Sequence, residues 1–548
     1  MADVPRAAGS SRRAPRRGRR RPSRPARGGC RRRPRAARPG RVRAGGRPTT
    51  ARRAGPPAGR RGWRGRRWRA GARWRCNQRC PQALLTGTLH EDSVRGETAI
   101  RSLQGDSVSD RGERVPLRRL LALAVPALGV LAAEPLYVLV DTAVIGHLGA
   151  VPLAGLALGG TLFTLVSSQL TFLSYGTTAR TARLHGAGRR QDAVTEGVQA
   201  TWLAVGIGVA LLLLAQLFAV PVAELLAGPG EIADAAARWL RIALLGAPMV
   251  LITMAGNGWM RGVQDTARPL RIVLVGNGIS AVLCPLMVYP LGWGLEGSAV
   301  ANLVGQSVAA ALFVRALVVE RVELRPHLPT MRAQLGMGRD LVLRTAAFQV
   351  CFLSATSVAA RTGAESAAAH QVVWQLWMFL SLVLDSLAIA AQSLVGAALG
   401  AGSKARAEGI ARQVSWYGLG FGVVLGVVFA ALSGILPALF TSDEAVLATV
   451  GHAWWFFVAL QPVAGVVFAL DGVFLGAGDA AYLRTATMLS AAVGYLPMIW
   501  LALAFDWGLA GIWTGLSLFM LLRLVTLLLR ARSGRWAVTG TAPVGASA

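Results

Sequence analysis

The amino-acid sequence predicts an all-α integral membrane protein, with twelve transmembrane helices in two parallel six-helix repeats. Three observations carry that prediction. Of the 548 residues, 53% are hydrophobic and only 16% are charged, a balance foreign to soluble chains of this size. The apolar residues fall in long runs such as "ALLLLAQLFAVPVAELL" and "LSLFMLLRLVTLLL", and about 20 such residues cross the roughly 30 Å hydrocarbon layer as a helix. The third observation is a duplication: a shift of 214 residues lays the second half of the body on the first without a gap.

In chain order, residues 1–114 form an arginine-rich extension outside the fold. Positions 1–90 hold 29 Arg, no Lys and one acid, Asp3, whereas the rest holds 30 Lys plus Arg against 26 acids. Most of the formal charge of +32 therefore belongs to the extension, and the body is only mildly basic. Arg, Gly, Pro, Ala and Trp without Ile or Phe reads as GC-rich sequence upstream of the true start. A disordered tail that binds nucleic acid or anionic lipid and an organelle-targeting segment are the alternatives. Cys30, Cys76 and Cys80 fall here, and "CNQRC" lacks the nearby His of a zinc site. Cys284 and Cys351 lie in apolar runs, so no disulfide framework is expected.

The first lobe, 115–325, holds spans at 120–145, 152–177, 196–221, 236–257, 270–291 and 296–317. The second, 326–535, holds spans at 340–361, 367–397, 411–437, 449–472, 483–505 and 509–530, and residues 536–548 are a C-terminal tail. The fixed shift pairs Gly149 with Gly363, "GAG" 186–188 with "GAG" 400–402, Gln199 with Gln413 and Trp202 with Trp416. It also pairs Pro248 with Pro462, Gly258 with Gly472, Gly262 with Gly476 and Asp265 with Asp479. Six spans per copy is an even number, so both copies enter the bilayer in the same sense, around a central cleft. Basic residues such as Arg183, Arg189, Arg190, Arg325, Arg332 and Lys404 gather in the links after even-numbered spans. The opposite links hold Arg238, Arg241 and Arg361. Both ends are therefore expected in the cytoplasm.

A charge at mid-bilayer costs about 2.5–3.5 kcal/mol on insertion scales, so acids inside spans are functional candidates. Glu134, Asp141, Asp385 and Asp471 are such acids. Glu134 and Asp141 lie seven residues apart, nearly on one helix face, and together form a candidate proton path. Asp385 is a candidate polar group of the second lobe. Asp471 sits opposite Asn257 in the repeat and reads as a helix cap or bridge. No Arg or Lys is expected in the middle of a span, which leaves the acids free for protons, metal ions or cationic substrates. Tyr137, Trp374 and Trp377 are candidate cleft-lining aromatics for organic cations, while Trp454 and Trp455 read as an interfacial belt.

Other functions are excluded or disfavoured. The one lysine, Lys404 in "GAGSKAR", lacks the spacing of a phosphate loop, so transport driven by its own ATP hydrolysis is excluded. His147, His185 and His370 show no metal-ligand spacing, and no catalytic constellation appears. The expected function is that of a transporter rather than an enzyme. It needs no cofactor beyond a proton gradient, with sodium as the alternative ion. The expected partners are the lipid bilayer of the plasma membrane and a small organic substrate. No nucleic acid is expected for the body, which reads as a monomer. A lipid or lipid-linked precursor flippase and a non-transporting scaffold are the alternatives. A flippase calls for arginines facing its cleft, and the spans offer none.

"PLYVLVDTAVIGHLG" in span 1, "GNGWMRGVQDTARPL" after span 4 and "LDGVFLGAGD" after span 10 resemble the multidrug and toxic compound extrusion (MATE) family. "AAHQVVWQLW" and "LDSLAIAAQSLVGAALGAG" resemble its DNA-damage-inducible, DinF-like branch. The resemblance covers about 115–535. It implies a V-shaped MATE-type fold and an antiporter that exports organic, often cationic, compounds in exchange for protons or sodium. The family's span-1 acid falls on Asp141. Its span-5 pair, Asn and Asp in N-x3-D-P, falls on Ser280 and Cys284, so both carry other side chains here. One carboxylate without that cluster suits a proton better than sodium, with Asn302 and Gln306 as remaining oxygen donors. Asn257, Arg261, Gly262, Asp265, Asp471, Gly476 and Asp479 mark the motifs after spans 4 and 10.

Overall fold

Residues 115–541 are described by the computed structural model; the arginine-rich extension and its three cysteines lie outside the described residues. Among these there is no strand. Span 1 is α1 (Leu117–Gly146), and span 2 is α2 (Ala150–Gln169) followed by α3 (Phe172–Gly186). Span 3 is α4 (Arg190–Ala227), span 4 the pair α5 (Glu231–Leu245) and α6 (Ala247–Gly262), span 5 α7 (Ala267–Val288) and span 6 α8 (Gly294–Val319). The second lobe follows with α9 (Leu328–Arg361), α10 (Ala364–Gly400), α11 (Lys404–Ala431) and α12 (Glu444–Ala477). Span 11 is α13 (Ala480–Ser490), a π turn at Ala491–Tyr495 and α14 (Leu496–Ala504); span 12 is α15 (Gly508–Ser533). Eleven helical stretches are long and apolar enough to cross a membrane, and the pair α5 and α6, bent by 50°, makes the twelfth.

Each break has a local cause. Between α2 and α3 the Ser168 hydroxyl donates to Leu165 O and the Thr171 hydroxyl to Ser168 O, while Leu170 N turns back to Ser167 O, the kind of competition that bends helices. Pro248 in the first turn of α6 has no N–H to continue α5. Pro497 opens α14 in the same way, and the π turn before it absorbs the lost bond. Several helices outrun the apolar cores read from the sequence. The helix of span 7 starts at Leu328 rather than near 340, because "PTMRAQLGMGRD" continues it as a polar extension.

The duplication explains the matched glycines. Gly149 and Gly363 cap spans 2 and 8 at φ of +119° and +121°, a conformation open to glycine alone. Gly186 and Gly400 mark a crossing of spans 2 and 8. A Cβ on Gly186 would lie 1.9 Å from Ala397 O, and one on Gly400 would lie 1.9 Å from Arg183 O. Those four positions are themselves related by the 214-residue shift, so the crossing lies on the pseudo-twofold axis.

Hydrogen bonds between the lobes lie near this crossing or at mid-depth. Ser393 donates to Arg261 O (2.9 Å), Gln392 to Tyr175 O (2.7 Å) and Gln349 to Ser168 Oγ (3.1 Å). The matched glutamines clamp the chain as it enters the opposite lobe. Gln199 of span 3 bonds Arg325 O and His327 N before span 7, and Gln413 of span 9 bonds both backbone groups of Val115 before span 1. The tail folds back after Gly534. Trp536 is buried against Phe474, Gly540 N donates to Leu399 O, and Arg183 of span 2 donates to the carbonyls of Ala477, Val538 and Gly540. Lobes thus joined at one end and splayed at the other make a V.

Candidate functional site

Asp141 approaches the end of α1 on the face turned to α7 and α8, and only 4% of it is exposed. A thiol and a hydroxyl hold it. Cys284 Sγ donates to Asp141 Oδ1 at 3.3 Å, and Ser298 makes a second side-chain bond. Ser298 Oγ in turn accepts from Trp239 Nε1 at 3.2 Å, which fixes its orientation. Among the described residues no Arg or Lys pairs with Asp141. Tyr137, one turn earlier, is buried, and its hydroxyl finds no hydrogen-bond partner among them. Glu134 lies on the same face, exposed, close enough for its charge to act on Asp141. The two carboxyls thus differ in access, Glu134 open and Asp141 buried.

The other span-5 and span-6 candidates divide. Cys284 touches Asp141, whereas Ser280 donates to Ala301 O at 3.2 Å and serves the packing of α7 on α8. Asn302 and Gln306 are partly buried on α8. They lie four and eight residues after Ser298, hence on its face. That spacing was the available signal for Ser298, which sequence reasoning missed.

The second lobe departs from expectation. Asp471 does not cap its helix but bridges helices, the other reading, and its partners are arginines: Arg344 of span 7 bonds it at 2.8 Å and Arg523 of span 12 at 2.6 Å to both oxygens. Both guanidinium groups lie over the Phe348 ring, 5.2 and 5.1 Å from its centre. The expectation that spans lack arginine is thereby corrected. Arg523 sits deep in α15, where long apolar neighbours mask one charge, and Arg344 sits where α9 passes from its polar extension into the apolar run. Asp385 accepts a short hydrogen bond from the Tyr175 hydroxyl of span 2. It therefore lies at the seam between the lobes, within electrostatic reach of Arg261 and Arg344.

The motif residues are structural neighbours of these sites. Arg261 is buried and donates to Ser174 Oγ at 3.3 Å. Asn257 is buried in α6 with its amide oxygen unpartnered among the described residues. Gly262 and Gly476 leave room for Thr181 and for the backbone of Gln392. Asp265 pairs with Arg268 at 3.0 Å, and Asp479 with Arg530 at 2.8 Å. The aromatic candidates pack into the second lobe: Trp377 is buried edge-on to Trp513, and Trp374 stacks near His370 and Phe352. Trp454, expected in a belt, is buried and donates to Phe429 O, because its face of α12 turns to α11; Trp455 is exposed.

Comparisons with known proteins agree on one family. The MatE family model matches residues 126–286 and 341–502. The chain is 34% identical over 441 residues to Protein DETOXIFICATION 44, chloroplastic, of Arabidopsis thaliana, covering 77% of this chain and 84% of that protein. It is 31% identical over 422 residues to DNA damage-inducible protein F of Escherichia coli K12, covering 74% and 90%. A solved outward-facing multidrug resistance MATE transporter superimposes with a TM-score of 0.69 at 22% identity, over 76% of this chain and 95% of that one.

Proposed function

The chain belongs to the MATE family of multidrug and toxin efflux transporters, and from that premise we propose that it exports organic, often cationic, compounds in exchange for protons. The observation that carries the reading is Asp141, buried and held by neutral donors alone among the described residues. A carboxyl so placed binds a proton without a competing permanent charge. Where a sodium ion would draw on several oxygens, the neighbours at hand are one thiol and one hydroxyl.

In this account the arginine-rich links face the cytoplasm, which puts both ends of the body there and Asp141 near the outer mouth. With the cleft open outward, Glu134 relays a proton to Asp141. The loss of negative charge weakens the hold on a cationic substrate, which leaves. The lobes then swing, and the proton departs inward. A monomer in the plasma membrane suffices.

The test is dye transport in proteoliposomes under separate pH and sodium gradients. Uptake should follow the pH gradient, and Asp141→Asn should reduce it to background with expression and membrane insertion intact. Sodium-driven uptake indifferent to pH would overturn the coupling. A flippase for lipid-linked precursors is the second reading, favoured by one observation: Arg344 gives the seam a cation that a phosphate head group requires.

A further inference from the structure

Charge does not balance at the seam. Arg261, Arg344 and Arg523 act on Asp385 and Asp471, so three guanidinium groups face two carboxylates. Asp471 is shared by two of the arginines, and Asp385 is engaged by Tyr175. Buried charges are tolerated when compensated, and here one positive charge is left over. The Nε–H groups of all three arginines find no partner among the described residues. An arginine presents five donors in a planar fork, and this cluster leaves several unspent.

One of the three can be reached. The Arg344 side chain is 15% exposed against 2% for Arg523, and its charge reaches Asp385, which bonds Tyr175 where the lobes meet. Phe348 beneath its plane fixes the fork, the arrangement suited to bidentate recognition of a carboxylate or phosphate. The first lobe offers no such excess. Its counterparts to Asp471, Arg344 and Arg523 under the 214-residue shift are Asn257, Val130 and Ala309.

We propose that Arg344, backed by Arg523 and Arg261, binds an anionic group of the transported molecule, so that the cleft selects compounds bearing both a cationic and an anionic end. On this proposal the carboxylates of α1 answer the cationic end and Arg344 the anionic end. The inference rests on the export reading for its route but not for the binding itself. Carboxylates of soluble compounds and phosphates of lipids share the chemistry.

The experiment uses the full chain in detergent and the dye rhodamine 110, whose carboxyl group is free, beside its methyl ester rhodamine 123. Fluorescence polarisation should show the free acid bound about tenfold more tightly than the ester, the size of one charge-assisted hydrogen bond. Arg344→Gln should lower that acid-to-ester ratio about tenfold, and Asp385→Asn, which removes a negative charge from the seam, should raise it. A gain of that kind does not arise from misfolding. Equal binding of the two dyes by the unaltered protein, or a ratio indifferent to both substitutions, overturns the proposal. Displacement of the acid by benzoate assigns the site to soluble carboxylates, and displacement by dioctanoyl phosphatidate assigns it to lipid phosphates. Displacement by neither overturns it. Should the ratio and its charge dependence hold while neither dye is exported, the export reading fails and this one stands.

Discussion

In the first lobe Asp141 is held by Cys284 and Ser298; the positions that answer to these three in the second lobe are Ala355, Met498 and Ile512. In the second lobe Asp471 is clamped by Arg344 and Arg523, and its first-lobe counterparts are Asn257, Val130 and Ala309. The duplication preserved the helices and exchanged the places of charge and neutrality. What it kept includes the glycine crossing on the axis and the two glutamine clamps where the chain enters each lobe. What it let diverge lies inside each bundle, where one acid answers to neutral donors and the other to fixed positive charge. Shared backbone geometry lets two halves move as one device while each does separate chemistry.

The contrast is sharpest at the two acids. Asp471→Asn strips the countercharge from the buried Arg523 and the part-buried Arg344 and should destabilise the protein by about 3–5 kcal/mol, read as a lower melting temperature in detergent. Asp141→Asn leaves no buried charge behind and should hold that temperature while transport is lost. Equal stability losses would dissolve the distinction between a structural and a working carboxylate.

A smaller but still large effect is expected at the axis. Gly186→Val and Gly400→Val each push a side chain into the opposite backbone, so either should open the arginine-rich end. Cysteines placed at that end should then label faster from its side, to the same degree for both substitutions. Unequal rates would break the symmetry claimed for the crossing. The mildest test concerns the clamps. Gln199→Ala and Gln413→Ala each leave two backbone groups unmatched and should each cost about 1–3 kcal/mol, again by thermal unfolding. A neutral Gln413→Ala would mean that only the link between the lobes, and not the start of span 1, needs its hold.

Much of this was legible because it repeats. Apolar runs marked the spans, and the 214-residue shift singled out Gly149, Gly186, Gln199, Pro248 and their partners before their roles were visible. Asp141 stood out because an acid in an apolar run is costly. The rest was hidden for physical reasons. Arg523 and Arg344 meet Asp471 across separations of 52 and 127 residues, and no local pattern announces such a meeting. Tyr175 has Ile389 as its repeat counterpart, so duplication gave no hint of its bond to Asp385. Trp454 and Trp455 are adjacent in sequence, and only the packing of α12 decides which one is buried. The returning tail carries a lone Trp536 as its anchor, too little for a periodic signal.

The crossing of spans 2 and 8 has a mechanical consequence. Backbones that touch at one end, with no side chain between them, behave as a hinge pin beneath two long levers. With arms of about 30 Å, the thickness of the hydrocarbon layer, a tilt of about 10° carries the far tips through about 5 Å. A small rotation at the crossing is thus magnified into a gap wide enough to pass a ring-sized solute, and the gearing is set by two hydrogen atoms where side chains would otherwise be.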